Sequence, residues 1–136
     1  MAQEMTLNEA REWLRLAVQE RGEDFIYYPE DIREREGEEP DGGPRCYYVP
    51  HTSLPADDPR SQTGCIAGTA MRLAGREITP MHEGLAVVDL QADWNLSYHA
   101  ALYLTYAQRA QDASATWGEA RDRAEHMMAE EISQSA

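Results

Sequence analysis

GCIAGTAMRLAG, residues 64–75, joins a cysteine to a run of small side chains and closes on a glycine. The spacing predicts a compact helix with Cys65 at its start and Gly75 ending it. Cys65, Ala67, Gly68, Thr69 and Ala70 are all small, so such a helix can approach a neighbouring backbone closely. Free cysteine is among the most buried residue types, and this pattern favours a packing role for Cys65 over a chemical one.

N-terminal to this stretch, TLNEAREWLRLAVQERG (6–22) reads as a helix. Thr6 and Glu9 have the spacing of a capping box, Leu7, Ala10, Leu14 and Ala17 recur at helical period, Trp13 and Val18 widen the apolar face, and Gly22 is the stop. DFIYYPED and CYYVP are rich in aromatic and β-branched residues and predict two short strands, near residues 25 and 47. Between them, residues 30–45 concentrate acids, arginines, glycines and prolines, which predicts a solvated acidic loop opening with one helical turn. If the strands pair, alternation sends one tyrosine of each couple outward, leaving Tyr27 and Tyr48 as an aromatic patch beside the loop. In HTSLPADDPRSQT the prolines suggest that Asp57 and Asp58 terminate turns.

C-terminal to it, Thr79 and Pro80 are a cap and first position for a short helix around MHEGLAVVDL, and ADWN is a turn. Ser97 caps a long helix in SYHAALYLTYAQRAQDA, with Ala101, Leu104, Thr105 and Gln108 on one side. Thr116 and Glu119 repeat the capping box, and Trp117, Ala120, Ala124, Met127 and Met128 form a buried stripe. That stripe suits the core or the seam of a homodimer equally. Residues 132–136 are expected to fray. The fold class implied is α+β and mostly helical: four or five helices with a small two-stranded sheet or hairpin, in a single domain spanning 1–136.

A net charge of −13 repels phosphate backbones and anionic lipid, which disfavours direct nucleic-acid and membrane binding, and neither is expected. No apolar run reaches the ~20 residues that span a bilayer, and MAQEMTLNEA lacks the layout of a signal peptide, so a cytoplasmic location is expected. All 12 basic residues are arginine. Without lysine there is no Schiff-base, phosphate-loop or kinase-type lysine chemistry. Salt adaptation and partner binding both account for the acidity.

A cysteine enzyme would pair Cys65 with a histidine, and His51, His82 and His99 are available. GCIAG, however, matches no catalytic-cysteine signature. Cys46, His51 and Cys65 have no recognised zinc spacing, and no metal or cofactor is expected. His126 lies one helical turn after Asp122, the spacing of an ordinary surface contact. No phosphate loop, dinucleotide motif, HExxH or GxSxG occurs.

CYYV, GCIAGTAMRLAG and AQRAQDASATWGEA together resemble small uncharacterised proteins of actinobacteria and their phages, over residues 46–128. That resemblance implies a phage-type accessory protein and no particular reaction. The function expected is a non-enzymatic acidic interaction module that binds a basic surface of a host protein. Tyr27, Tyr48, Glu34, Glu36, Glu38, Glu39 and Asp41 would form the binding face. The alternative is a small enzyme using Cys65 with His51 or His99.

Overall fold

The computed structural model describes residues 3–35 and 47–135. Helix α1 (Leu7–Arg21) begins at the predicted capping box: the Glu9 amide donates to Thr6 Oγ1 at 3.2 Å, and the Thr6 amide donates to Glu9 Oε1 at 2.9 Å. Hydrogen bonds from the Thr6 backbone and hydroxyl hold the Glu9 carboxyl below the ordinary range. Ala10, Leu14, Ala17 and Val18 are buried, and Gly22 ends the helix at φ +98°, a conformation that favours glycine.

Helix α2 (Glu30–Arg35) is the turn expected at the head of the acidic stretch, anchored by the buried Ile32; residues 36–46 lie outside the described residues. Helix α3 (Pro59–Gln62) is capped by Asp58, which ends the turn from Pro55, its amide donating to Pro55 O at 3.0 Å, and opens the helix. Helix α4 (Ile66–Leu73) is the small-residue helix, buried from Ile66 through Met71. The single short helix expected around MHEGLAVVDL is two 3-10 turns, Pro80–His82 and Val87–Leu90, separated by Gly84 at φ +85°. Helix α5 (Tyr98–Asp112) is capped by Ser97, and helix α6 (Trp117–Ser135) starts from the Thr116–Glu119 capping box. α5 and α6 form a helical hairpin, with α1 packed on α4, α5 and α6.

The expected two-stranded sheet is absent: no strand forms among the described residues, and the single β-type contact is an isolated parallel bridge between Met5 and Leu96. The aromatic segments spend their backbone groups on helix termini. Glu23 O and Phe25 O accept the Gly118 and Trp117 amides at the start of α6 (2.9 and 2.8 Å), and Tyr28 O accepts from Ser114 Oγ. Tyr47 O accepts the Cys65 amide at 2.7 Å. The two segments do meet, but through a side chain: the Tyr47 amide donates to the Tyr27 phenol oxygen at 3.2 Å.

Without a ladder, alternation no longer sets which way the tyrosines face. Tyr27 and Tyr48 are both buried, Tyr48 with its ring edge-on to Trp94 at 5.1 Å, so neither contributes to an exposed aromatic patch. Trp117 and Met128 are buried within the one chain, whereas Met127 lies half-buried in a groove between α5 and α6.

Candidate functional site

Cys65 is the N-cap of α4, is fully buried, and makes no side-chain capping bond. The oxygens that satisfy this helix end come from elsewhere. Gln111 Oε1 accepts the Ile66 amide at 2.7 Å and Gln108 Oε1 the Ala67 amide at 3.3 Å, both from α5, while Thr69 Oγ1 donates back to Gly64 O. On its other side α4 meets the backbone of Tyr48. A methyl built on Gly68 would lie 2.6 Å from Tyr48 Cα, and one on Gly64 would lie 2.8 Å from Tyr48 C. Close backbone approach is thus the reason for small residues here, with Gly64 and Gly68 at the contact itself. No imidazole is brought to the Cys65 sulfur among the described residues.

The histidines scatter. His99 is half-buried near the start of α5 beside the Tyr98 ring, and His126 is exposed, 3.1 Å from Glu130 and so turned away from Asp122. His82 is buried: Nδ1 accepts the Thr79 amide, and Nε2 lies 3.3 Å from Asp93. His51 stands in a cleft of about 300 Å³ whose walls include Tyr47, Val49, Ile78, Pro80 and Glu83. Its Nδ1 is 2.8 Å from Ser53 Oγ, and its ring meets Tyr47 edge-on at 3.9 Å. A hydrolytic relay would need a carboxylate on the other imidazole nitrogen. Glu83, the acid of this cleft, instead receives the Tyr48 amide at 3.0 Å. Burial pushes its carboxyl above the ordinary range, against the hydrogen bonds from the Tyr48 and Val49 amides. The cleft is equipped to bind, with a mainly apolar wall and one carboxylate, and its Ser53–His51 pair has no carboxylate hydrogen-bonded to the imidazole among the described residues.

Among the described residues no group of three or more histidines, cysteines, aspartates or glutamates comes together to hold a metal ion. Cys46 lies outside them, as do Glu36, Glu38, Glu39 and Asp41. Glu34 is described and exposed on α2, next to Glu30 and Asp31. No helix among the described residues is long and apolar enough to cross a membrane.

Three features had weak sequence signals or none. Asp58 and Arg60 form a buried bidentate pair (Nη2 to Oδ2 at 2.9 Å) with the guanidinium 4.8 Å from the Tyr28 ring centre. The i, i+3 glutamines on α5 were detectable only as polar residues on a buried face. Val49 and the segment 78–85 are distant in sequence, and the contact of Glu83 with the Tyr48 backbone is what joins them. Comparison with known proteins returns no family model, curated sequence or solved structure that matches this chain.

Proposed function

We propose that this chain is a non-enzymatic interaction module that recognises a basic surface on a partner protein. The observation that carries the reading is the excess of unpaired carboxylates over unpaired arginines, with Arg109 and Arg123 exposed and without an ion pair among the described residues. Arg11, Arg15, Arg60, Arg72 and Arg121 pair with carboxylates of the same chain, and Arg76 donates to the Trp94 and Gln3 carbonyls. Asp24, Glu30, Asp31, Glu34, Asp57, Glu77 and Asp89 stand exposed with no ion pair among the described residues. With a net charge of −13, the field around the molecule is negative and steers basic partners toward it. In its most specific form, the protein is a phage-type cytoplasmic inhibitor whose carboxylates occupy a nucleic-acid-binding groove of a host protein.

The cysteine-enzyme alternative finds no support in the geometry, since the Cys65 sulfur has neither access to solvent nor a base beside it. The test of the interaction reading is affinity capture from an actinobacterial lysate, followed by titration of the purified captured protein at low and high salt. A basic partner whose affinity falls steeply with salt is expected. A complex indifferent to salt, or one with an acidic partner, overturns the reading.

A further inference from the structure

Among the described residues, six large apolar side chains are exposed, and three of them lie on segments that form or adjoin the His51 cleft: Val49 (41% exposed) lines it, Met81 (84%) follows the lining residue Pro80, and Leu85 (44%) offers its carbonyl to the Tyr48 phenol. Contacts tie these segments together. The Glu83 carboxylate holds the Tyr48 amide, the Tyr48 phenol donates to Leu85 O, and Val49 lines the cleft with Ile78, Pro80 and Glu83. The platform beneath is fixed, because the Tyr48 and His82 rings both meet the buried Trp94 ring edge-on, at 5.1 and 5.4 Å. An exposed apolar cluster on a fixed base is an arrangement that marks a binding surface. Methionine suits such a surface, because its flexible thioether adapts to varied contacts.

The surroundings specify the occupant's charge. No arginine occurs between residues 77 and 108, whereas Glu77, next to the cleft-lining Ile78, and Asp93, which meets His82 beside Glu83, are exposed, and Glu83 sits in the cleft itself. We infer that this face seats one apolar anchor side chain carried on a basic segment of a partner protein. The anchor enters the cleft between Val49 and Pro80, Met81 and Leu85 cover its flank, and the partner's cationic groups meet the acidic rim. This deepens the proposed function and rests on it. A second copy of the chain is a poor occupant, since it would bring its own net charge of −13 to an acidic rim.

Three synthetic decapeptides test the inference against the intact protein by fluorescence anisotropy. The first is arginine- and glycine-rich with one central phenylalanine, the second has serine in place of the phenylalanine, and the third keeps the phenylalanine but has serines in place of the arginines. The phenylalanine-bearing basic peptide should bind on the order of tenfold more tightly than either control. Met81→Ser and Val49→Ser, at exposed positions and checked for unchanged melting, should each remove most of that advantage. Equal binding of both basic peptides, unaffected by Met81→Ser, overturns the anchor site while leaving basic recognition standing. Failure of every peptide at low salt overturns both readings. Equal binding of the uncharged phenylalanine peptide overturns the charged rim as a determinant. Concentration-dependent self-association that Met81→Ser abolishes assigns the face to a homotypic contact and overturns the proposal.

Discussion

Replacing Gly68 with alanine opposes two effects of known sign. In an exposed helix the change stabilises by about 1 kcal/mol, because glycine has the greater freedom to lose on folding. Here the new methyl would stand 2.6 Å from both Cα and C of Tyr48, and closer still to its carbonyl oxygen. Ordinary contact begins near 3.4 Å, so one of the two backbones must retreat by close to an ångström. Neither is free to do so. Tyr48 is held by the Glu83 carboxylate on its amide and by its ring against Trp94, and the preceding carbonyl takes the Cys65 amide. α4 is held from the opposite side by the Gln108 and Gln111 amides. Overpacking a core costs roughly 1–3 kcal/mol, and each hydrogen bond broken in the retreat adds about 1 kcal/mol. The net loss expected after the helix gain is about 2–3 kcal/mol. For a chain of this size that lowers the melting temperature by about 6–12 °C. Gly75→Ala is the control: its φ is +78° but nothing lies within 4 Å, so only backbone strain of about 1 kcal/mol applies. Thermal and urea melts measure both variants. A Gly68→Ala protein as stable as the parent would refute the close approach of α4 to Tyr48.

Two further outcomes follow from the same packing. Native Cys65 should resist thiol reagents, with labelling paced by opening of the fold and accelerating sharply in urea; rapid stoichiometric labelling of that residue in the native state would revive the enzyme alternative. Asp112, the last residue of α5, has its carboxyl pushed up to about 7 by burial, against an accepted hydrogen bond from Gln111 Nε2. In the unfolded chain the same carboxyl titrates near ~4, so the folded state holds the proton more tightly. This group therefore costs nothing below pH ~4, and the fold loses stability as pH rises from there through about 7. Asp112→Asn keeps an acceptor for Gln111 and should stabilise by on the order of 2 kcal/mol at pH 8, discounted for partial exposure, and far less at pH 4. The same gain at both values would show that the carboxyl is unperturbed.

The long helices were legible because their signals are local. A cap, its partner three residues on and an apolar period lie within a few turns of each other, and Thr6 with Glu9 and Thr116 with Glu119 adopt the geometry their spacing implies. The aromatic segments misled because strand propensity states only what a backbone does when another extended backbone is its partner. Residues 23–28 and 47–48 found helix ends and side chains instead, and no local pattern announces that a carbonyl will be claimed by an amide such as that of Trp117, nearly a hundred positions away. The same long range hides the Val49–Met81–Leu85 face. Its apolar residues look like scattered core candidates until Glu83 binds the Tyr48 amide and fixes which of them remain outside.

Cysteine at the head of α4 becomes intelligible through who caps that helix. An N-cap is ordinarily serine, threonine, aspartate or asparagine, since the first amides need an oxygen from the chain itself. α4 obtains those oxygens from Gln108 and Gln111, and it gives the N-cap amide to Tyr47 O. Position 65 is thereby released from capping and is left with a requirement for small size and apolar character, which a thiol meets. The same glutamines remove the feature that would have made the thiol a nucleophile. A helix N-terminus activates cysteine through unsatisfied amides that stabilise the thiolate, and here the Ile66 and Ala67 amides already donate to amide oxygens. Packing and chemical inertness at Cys65 are thus two consequences of one arrangement, the docking of α5 glutamines onto the end of α4.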